Sequence, residues 1–225
     1  MPSEPPSIKS GPYWDRFYKQ NHPDLSEPST FARLCVSSRP MASSIFEIGC
    51  GNGRDAIFMA LNGLRVFASD ASEVAIERTR DRARGLSLTH MPRLITRSME
   101  HLDDRHARDL DAVYMRFVLH AVKAEIASAG LRWAFRNLRP NGRLYVEARS
   151  VRGALYGKGQ PAGRDAFIHD GHYRRFIRLD ELRDEIAEIG FRLDELVEAD
   201  GLARHGDDNP VVIRVFATRN SPEIS

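Results

Sequence analysis

Cysteine is scarce in this sequence. Cys35 and Cys50 are the two among 225 residues, too few for a disulfide framework or a cysteine-rich zinc site. No stretch approaches the roughly 18 consecutive apolar residues that a membrane-spanning helix needs. The opening Met1-Pro2-Ser3-Glu4-Pro5-Pro6-Ser7 has neither the basic start nor the apolar run of a secretory signal. These absences lead us to expect a soluble cytoplasmic protein with no bound metal. Net charge is small as well: 33 Lys and Arg against 31 Asp and Glu leave a formal +2, too little for a protein that coats nucleic acid. What is present is an ordinary globular composition, 42% hydrophobic and 28% charged. At roughly 150 residues per domain, the length corresponds to one domain with additions.

Residues 1–12 hold four prolines and predict a disordered tail. Tyr13-Trp14-Asp15-Arg16-Phe17-Tyr18 is dense in aromatics that need something to cover, and a short helix is expected over Ser29–Val36 within the segment 13–43. From Ser44 onward, strand-like and helix-like periods alternate, the pattern of a parallel sheet wrapped by helices. Strands are expected over Ser44–Gly49, Leu64–Ser69, Arg93–Thr96, Asp111–Phe117 and Arg143–Ala148. Helices are expected over Arg54–Leu61, Ser72–Arg84 and Ala124–Leu138, with Arg139-Pro140-Asn141-Gly142 read as a turn. After an insert from Arg149 to Arg178, a well-capped helix is expected over Leu179–Ile189. Phe191–Glu198 and Val211–Thr218 have no helix between them, so they should pair antiparallel.

The chemistry sits in Glu47-Ile48-Gly49-Cys50-Gly51-Asn52-Gly53 and in Asp70, at the end of the next strand. Glycines after the first strand let the backbone turn tightly and let a ligand approach. An acid closing the second strand can accept both hydroxyls of a ribose. A dinucleotide fingerprint would need its third small residue at position 54, which is arginine. The pyrophosphate reading therefore loses.

Glu-x-Gly-x-Gly-x-Gly followed by an acid resembles the first motif and the ribose-binding acid of class I S-adenosylmethionine-dependent methyltransferases. The resemblance runs from about Ser44 to the last strand. It implies an α/β, Rossmann-like, mostly parallel seven-stranded sheet of order 3-2-1-4-5-7-6 with an antiparallel last strand. It implies S-adenosyl-L-methionine as cofactor, with Gly49, Gly51 and Gly53 along its backbone, Asp70 and Ala71 at the ribose, and Glu47 orienting the turn or the ammonium. Ser98, Met99 and Glu100 fall where such enzymes contact adenine. Arg116 would offer its backbone carbonyl to the ammonium. Upstream, Tyr13-Trp14 and Glu27-Pro28-Ser29-Thr30-Phe31-Ala32-Arg33 are similar to the N-terminal cover of bacterial small-molecule methyltransferases, such as the methyltransferase half of O-antigen chain terminators. That similarity implies Tyr13 and Trp14 over the cofactor and Arg33 on its carboxylate.

Methyltransferases acting on base amines carry an Asn or Asp-Pro-Pro-Tyr-like tetrapeptide after the fourth strand, whereas this chain has Arg116-Phe117-Val118-Leu119-His120. Oxygen and sulfur-like acceptors stay open. A hydroxyl acceptor needs a base, and His120, past that strand, is the first candidate. The insert 149–178 holds seven Lys or Arg against two acids and follows the fifth strand, at the carboxyl edge where open α/β sheets bind ligands. Its glycines suit a mobile lid. An anionic acceptor, small or polymer-terminal and of phosphorylated-sugar type, would meet Arg174 and Arg175 as phosphate forks, with Arg149, His172 and Tyr173 beside them. An RNA methyltransferase, a thiol or chalcogen-oxyanion methyltransferase and a cofactor-binding module without catalysis are the rival readings. The oligomeric state is not legible.

Overall fold

Every residue of Ser44–Ile48 is buried, as are the first six of Leu110–Arg116. Such continuous burial belongs to central strands of a parallel sheet covered on both faces. The computed structural model describes residues 10–20, 27–38, 43–169, 171–204 and 206–221. Two helices, α1 (Ser10–Gln20) and α2 (Thr30–Ser37), precede the alternating part. That part runs β1 (Ser44–Ile48), α3 (Arg54–Leu61), β2 (Arg65–Asp70), α4 (Glu73–Arg84), β3 (Arg93–Thr96), β4 (Leu110–Arg116), α5 (Ala124–Asn137) and β5 (Leu138–Arg149). Three short strands follow, β6 (Gln160–Gly163), β7 (Ala166–His169) and β8 (His172–Arg175), and then α6 (Leu179–Ile189), β9 (Phe191–Ala199) and β10 (Val212–Arg219).

The main sheet has the order β3-β2-β1-β4-β5-β10-β9. Counting only its own strands, this is the expected 3-2-1-4-5-7-6. β1 through β5 pair in parallel, and β10 runs antiparallel between β5 and β9. Alternate residues of the central strands feed two cores. On one face Phe46 meets Trp133 of α5 with ring centroids 4.8 Å apart, among Val113, Met115, Leu131 and Ile186. On the other, Phe31 of α2 stacks on Tyr114 at 5.3 Å, among Ile45, Met59 and Ile76. Side chains as buried as these contribute about 1.5–3 kcal/mol each.

The N-terminal segment is fastened by polar groups. Ser29 caps α2, its Oγ accepting from the Ala32 amide at 3.0 Å. Its own amide and hydroxyl donate to the two oxygens of Asp55 at 2.8 and 2.7 Å, and the Tyr114 hydroxyl donates to the same carboxylate at 2.8 Å. A buried carboxylate is tolerated only with this degree of satisfaction. Asp55 stands in the first turn of α3, where the helix dipole also favours its charge.

Three expectations are corrected by the structure. α1 begins at Ser10, inside the segment expected to be a tail; residues 1–9 lie outside the described residues. Arg139-Pro140-Asn141-Gly142 is absorbed into β5 as an irregularity, with Asn141 at φ 60° and a register shift opposite Leu110 and Ala112. The insert is folded: β6, β7 and β8 form an antiparallel sheet of their own. Arg178 donates to both oxygens of Asp165 at 2.8 and 2.9 Å, and Tyr156, Phe167 and Phe176 pack edge to face beneath it. Glycine content alone had suggested a mobile loop; the ion pair and three aromatics supply the small core that sequence periodicity did not reveal. Among the described residues, no helix is long and apolar enough to cross a membrane.

Ser29→Ala removes both a helix cap and a charge-assisted hydrogen bond, a loss of about 2 kcal/mol. For a domain of this size that is a fall in Tm of roughly 4–8 °C, measurable by scanning calorimetry. An unchanged Tm would mean that the N-terminal segment is not held through Asp55.

Candidate functional site

A cavity of about 360 Å³ opens at the carboxyl ends of β1, β2, β4 and β5, where open parallel sheets place their ligands. Its floor is the turn after β1. The amides of Gly49 and Cys50 both donate to the Ser69 carbonyl, at 2.8 and 3.0 Å, and the Gly51 amide donates to Asp70 Oδ2 at 2.8 Å. Gly51 has φ 55°, and a Cβ there would stand 2.5 Å from the Tyr18 hydroxyl. Glycine is required on both counts.

Asp70 is buried and also accepts from the Ser72 amide at 2.9 Å through Oδ1. Burial raises its pKa to about 6 against the pull of the Ser72 and Gly51 amides. Each oxygen keeps a lone pair, since a carboxylate has about four acceptor sites. Glu47 is buried too, and its Oε2 has no hydrogen-bond partner. Burial first and Asp55 second push its carboxyl well above the usual range, against the Arg116 charge and an Ala56 amide.

The opposite wall is cationic and aromatic. Arg116 donates to Glu147 Oε1 at 2.8 Å, while Arg214 donates to Oε2 at 2.7 Å, so this fully buried carboxylate has both oxygens engaged. Phe117, at φ 57°, sits under the Arg116 guanidinium at 4.3 Å from its centroid. Such left-handed backbone is a strained arrangement for a bulky residue and recurs at functional sites. Arg149 pairs with Asp208 and lines the wall with His120, His172 and Arg174.

The two additions to the core meet over the mouth. The Tyr13 hydroxyl and His172 Nδ1 are 2.6 Å apart, and Trp14 packs edge to face on the same imidazole at 5.1 Å. α1 is held at its other side by Asp15, which accepts from Ser72 Oγ at 2.6 Å.

Residues 45–142 match the family model described as a methyltransferase domain. The S-adenosyl-L-methionine-dependent Diels-Alderase iccD of Talaromyces variabilis is 34% identical over 107 residues, 47% of this chain and 36% of that protein. The chain thus spans about a third of the length of the curated relative it matches. Among solved structures, the CcbJ methyltransferase of Streptomyces caelestis superposes with a TM-score of 0.73 at 18% identity, over 94% of this chain and 99% of that one. A S-adenosylmethionine-dependent methyltransferase of Methanosarcina mazei gives 0.72 at 19% identity, over 83% and 97%. This chain has the class I S-adenosylmethionine-dependent methyltransferase fold.

The floor of the methyltransferase-fold cavity suits that cofactor. It offers acceptors, Asp70 and the orphaned Glu47 Oε2, to a ligand that must bring donors and positive charge; ribose hydroxyls, an ammonium and a sulfonium do so, and a pyrophosphate does not. Gly49, Gly51, Asp70, Ala71, Ser98, Met99, Glu100, Arg116 and Trp14 all line the cavity. Gly53 does not: it lies behind, where a Cβ would stand 2.3 Å from Thr79 Cγ2, and so serves the packing of the turn. Ser98 Oγ is within 2.8 Å of His101 Nδ1.

Arg33 is placed elsewhere. It is half exposed on α2, ion-paired with Glu27 and near the Phe58 ring, outside the cavity lining. Tyr13 is outside the cavity lining and touches it through His172 and Trp14. Tyr173 and Arg175 alternate away from Arg174 along β8. Arg175 donates to the Leu119 carbonyl at 3.2 Å and lines a second cavity against α5 and α6, so it forms no fork with Arg174. Sequence reasoning missed Tyr18, Asp55, Arg97 and Phe117, which also line the site. The i, i+4 spacing of Trp14 and Tyr18 on α1 carried the signal for Tyr18; nothing local announces Phe117, because its conformation is set by tertiary contacts.

His120 does not fit the role of general base. It is buried, and its Nδ1 accepts the Arg149 amide at 3.2 Å. In a neutral imidazole whose Nδ1 accepts, the proton resides on Nε2. To expose a lone pair at Nε2 the ring would have to abandon a buried amide, at about 1–3 kcal/mol. Burial, followed by the charges of Arg149, His172, Arg174 and Arg116, holds its pKa well below 6.5. Burial and the same arginines Arg174 and Arg149 lower His172 to about 4.

Because the free-protein pKa of Asp70 is raised to about 6, a proton competes with ribose for it below that value. Calorimetric affinity for S-adenosylmethionine should be steady above pH 7 and weaken as pH falls through 6. Asp70→Asn should weaken binding at pH 8 by about ten- to hundredfold, the equivalent of one charge-assisted hydrogen bond. Unchanged affinity in that variant would remove the ribose from Asp70.

Proposed function

We propose that this chain transfers the methyl group of S-adenosylmethionine to an oxygen of a small or polymer-terminal anionic acceptor, of phosphorylated-sugar type. The observation that carries this reading is the division of the cavity. Glu47 and Asp70 stand on the β1 and β2 side, with Arg54 and Asp55 of α3 and Arg97 and Glu100 after β3 beside them; on the β4, β5 and β8 side the titratable lining is Arg116, His120, Arg149, His172 and Arg174, with no acid among them. With both imidazoles neutral at pH 7, the positive character of that side comes from the three guanidiniums.

When bound, the cofactor supplies an activated methyl group on a sulfonium. The protein's own contribution is position and dryness. Asp70 and the glycine turn hold the nucleoside end, while Glu47 faces the amino-acid end with an unpaired oxygen. Arg116 is kept in place by Glu147, whose two engaged oxygens make it an anchor and not a base. The Trp14 and His172 contact closes the mouth, and Arg149 and Arg174 meet the acceptor's charge.

A second reading, in which S-adenosylmethionine is held without transferring its methyl group, is favoured by the similarity over 107 residues to a S-adenosyl-L-methionine-dependent Diels-Alderase. One experiment separates the two. Calorimetry with S-adenosylmethionine and S-adenosylhomocysteine should show one site, and tritiated methyl label should pass to hexose phosphates and not to the free hexoses. Cofactor binding with no transfer to any acceptor supports the second reading, and no cofactor binding overturns both. Retention on RNA with steep salt dependence would favour a nucleic-acid acceptor instead.

A further inference from the structure

Among the described residues, the β4, β5 and β8 side of the cavity presents no carboxylate, and its two imidazoles are poor bases. Glu147 has both oxygens occupied by arginines. His172 Nδ1 is in contact with the Tyr13 hydroxyl, and burial, with Arg174 and Arg149, lowers its pKa to about 4, which makes it a weak base. His120 Nδ1 is engaged with the Arg149 amide, and the acids that line the cavity, Glu47, Asp70, Asp55 and Glu100, stand on β1, β2, α3 and the turn after β3. What His120 offers the cavity is its other edge, which makes no hydrogen bond among the described residues and carries the proton. Around that edge stand Arg116, Arg149, His172 and Arg174, and no carboxylate from β8 or the insert lines the cavity with them.

From this we infer that the acceptor is an acid already ionised in solution, a carboxylate or a phosphate monoester, and that His120 meets its oxyanion as a fixed Nε2–H donor. The inference rests on the methyl-transfer reading and sharpens it. The acceptor oxygen's lone pair forms the new O–C bond to the methyl carbon as the S–C bond breaks, its electron pair passing to sulfur. Sulfonium becomes neutral thioether and oxyanion becomes neutral ester, or for a phosphate monoester a monoanionic diester, so no proton is released and no base is required. A neutral alcohol would have to give its proton to one of two weakly basic imidazoles. It would also face a donor in His120 where it needs an acceptor, and the arginines would find no charge.

The arrangement also explains why Arg149 counts twice. Its guanidinium lines the site, and its backbone amide sets which imidazole nitrogen is protonated. The second role does not depend on its side chain, so Arg149→Met should leave the His120 tautomer in place while weakening anion binding.

The test is nitrogen NMR of the full chain labelled at histidine, free and saturated with S-adenosylhomocysteine, with the His120 signals assigned through His120→Gln. At pH 7 the expected pattern is a neutral ring with a bare Nδ1 and a protonated Nε2. Benzoate and inorganic phosphate serve as oxyanion probes and benzyl alcohol as the neutral control. At least one oxyanion should shift the Nε2–H resonance, and the alcohol should not. His120→Gln keeps an N–H near the Nε2 position and should hold the responding anion within about threefold, whereas His120→Phe should weaken it by about tenfold or more. An imidazolium, an Nδ1–H ring, or equal loss of anion binding in the two variants would overturn the inference. Failure of S-adenosylhomocysteine to bind would overturn the methyl-transfer reading and the acceptor's place in it, while the His120 donor role would still stand or fall on the tautomer and anion response, which are read equally in the free protein.

Discussion

The bond from the Gly51 amide to Asp70 is the constraint on which the site depends. It ties the turn after β1 to the end of β2, so the carboxylate proposed to face the ribose also shapes the floor beneath it. The left-handed backbone of Gly51, φ 55°, favours glycine, and its lack of a side chain lets the Tyr18 hydroxyl lie against it. Through Tyr18, the same point locates α1 over the cavity. Through Ser72, which donates its amide to Asp70 and its hydroxyl to Asp15, it locates the start of α4. One carboxylate thus coordinates two strands and two helices, at the cost of burying a charge; the raised Asp70 pKa records that cost.

The second organising group is Glu147. Held between Arg116 and Arg214, it places a guanidinium at the cavity wall that would otherwise be free to turn outward. Arg214 also donates to Thr30 and to the Leu202 carbonyl, so the wall is linked to the start of α2 and to the loop before β10. A buried pair of this kind contributes little net stability, but losing one partner strands the other. Its value here is geometric: it fixes the Arg116 guanidinium at the cavity wall.

Much of this was legible in the sequence, and the boundary between what was and was not has a physical basis. The alternation of periods predicted a parallel sheet wrapped by helices, and the lack of a helix between the last two strands predicted their antiparallel pairing, both local features; the strand order itself came from the resemblance to class I methyltransferases. Gly49, Gly51 and Asp70 were legible because tight turns and strand ends impose their residue types locally. Arg33 was placed by similarity of a short segment, and its side chain is instead taken by nearby Glu27. The proton position on His120 was not legible, because it is set by an amide 29 residues away that meets the ring only after β4 and β5 have paired. The same holds for the strained Phe117 and for the small sheet of the insert, whose core is made of Tyr156, Phe167, Phe176 and one ion pair.

The division of the cavity into a cofactor floor and an acceptor wall is tested most directly by a crystal structure of the protein grown with S-adenosylhomocysteine. The prediction is ribose hydroxyls within hydrogen-bonding distance of Asp70, the amino-acid end against Glu47, and the sulfur directed toward Phe117 and His120. Density for the ligand on the β8 side, with Asp70 and Glu47 left uncontacted, would contradict it.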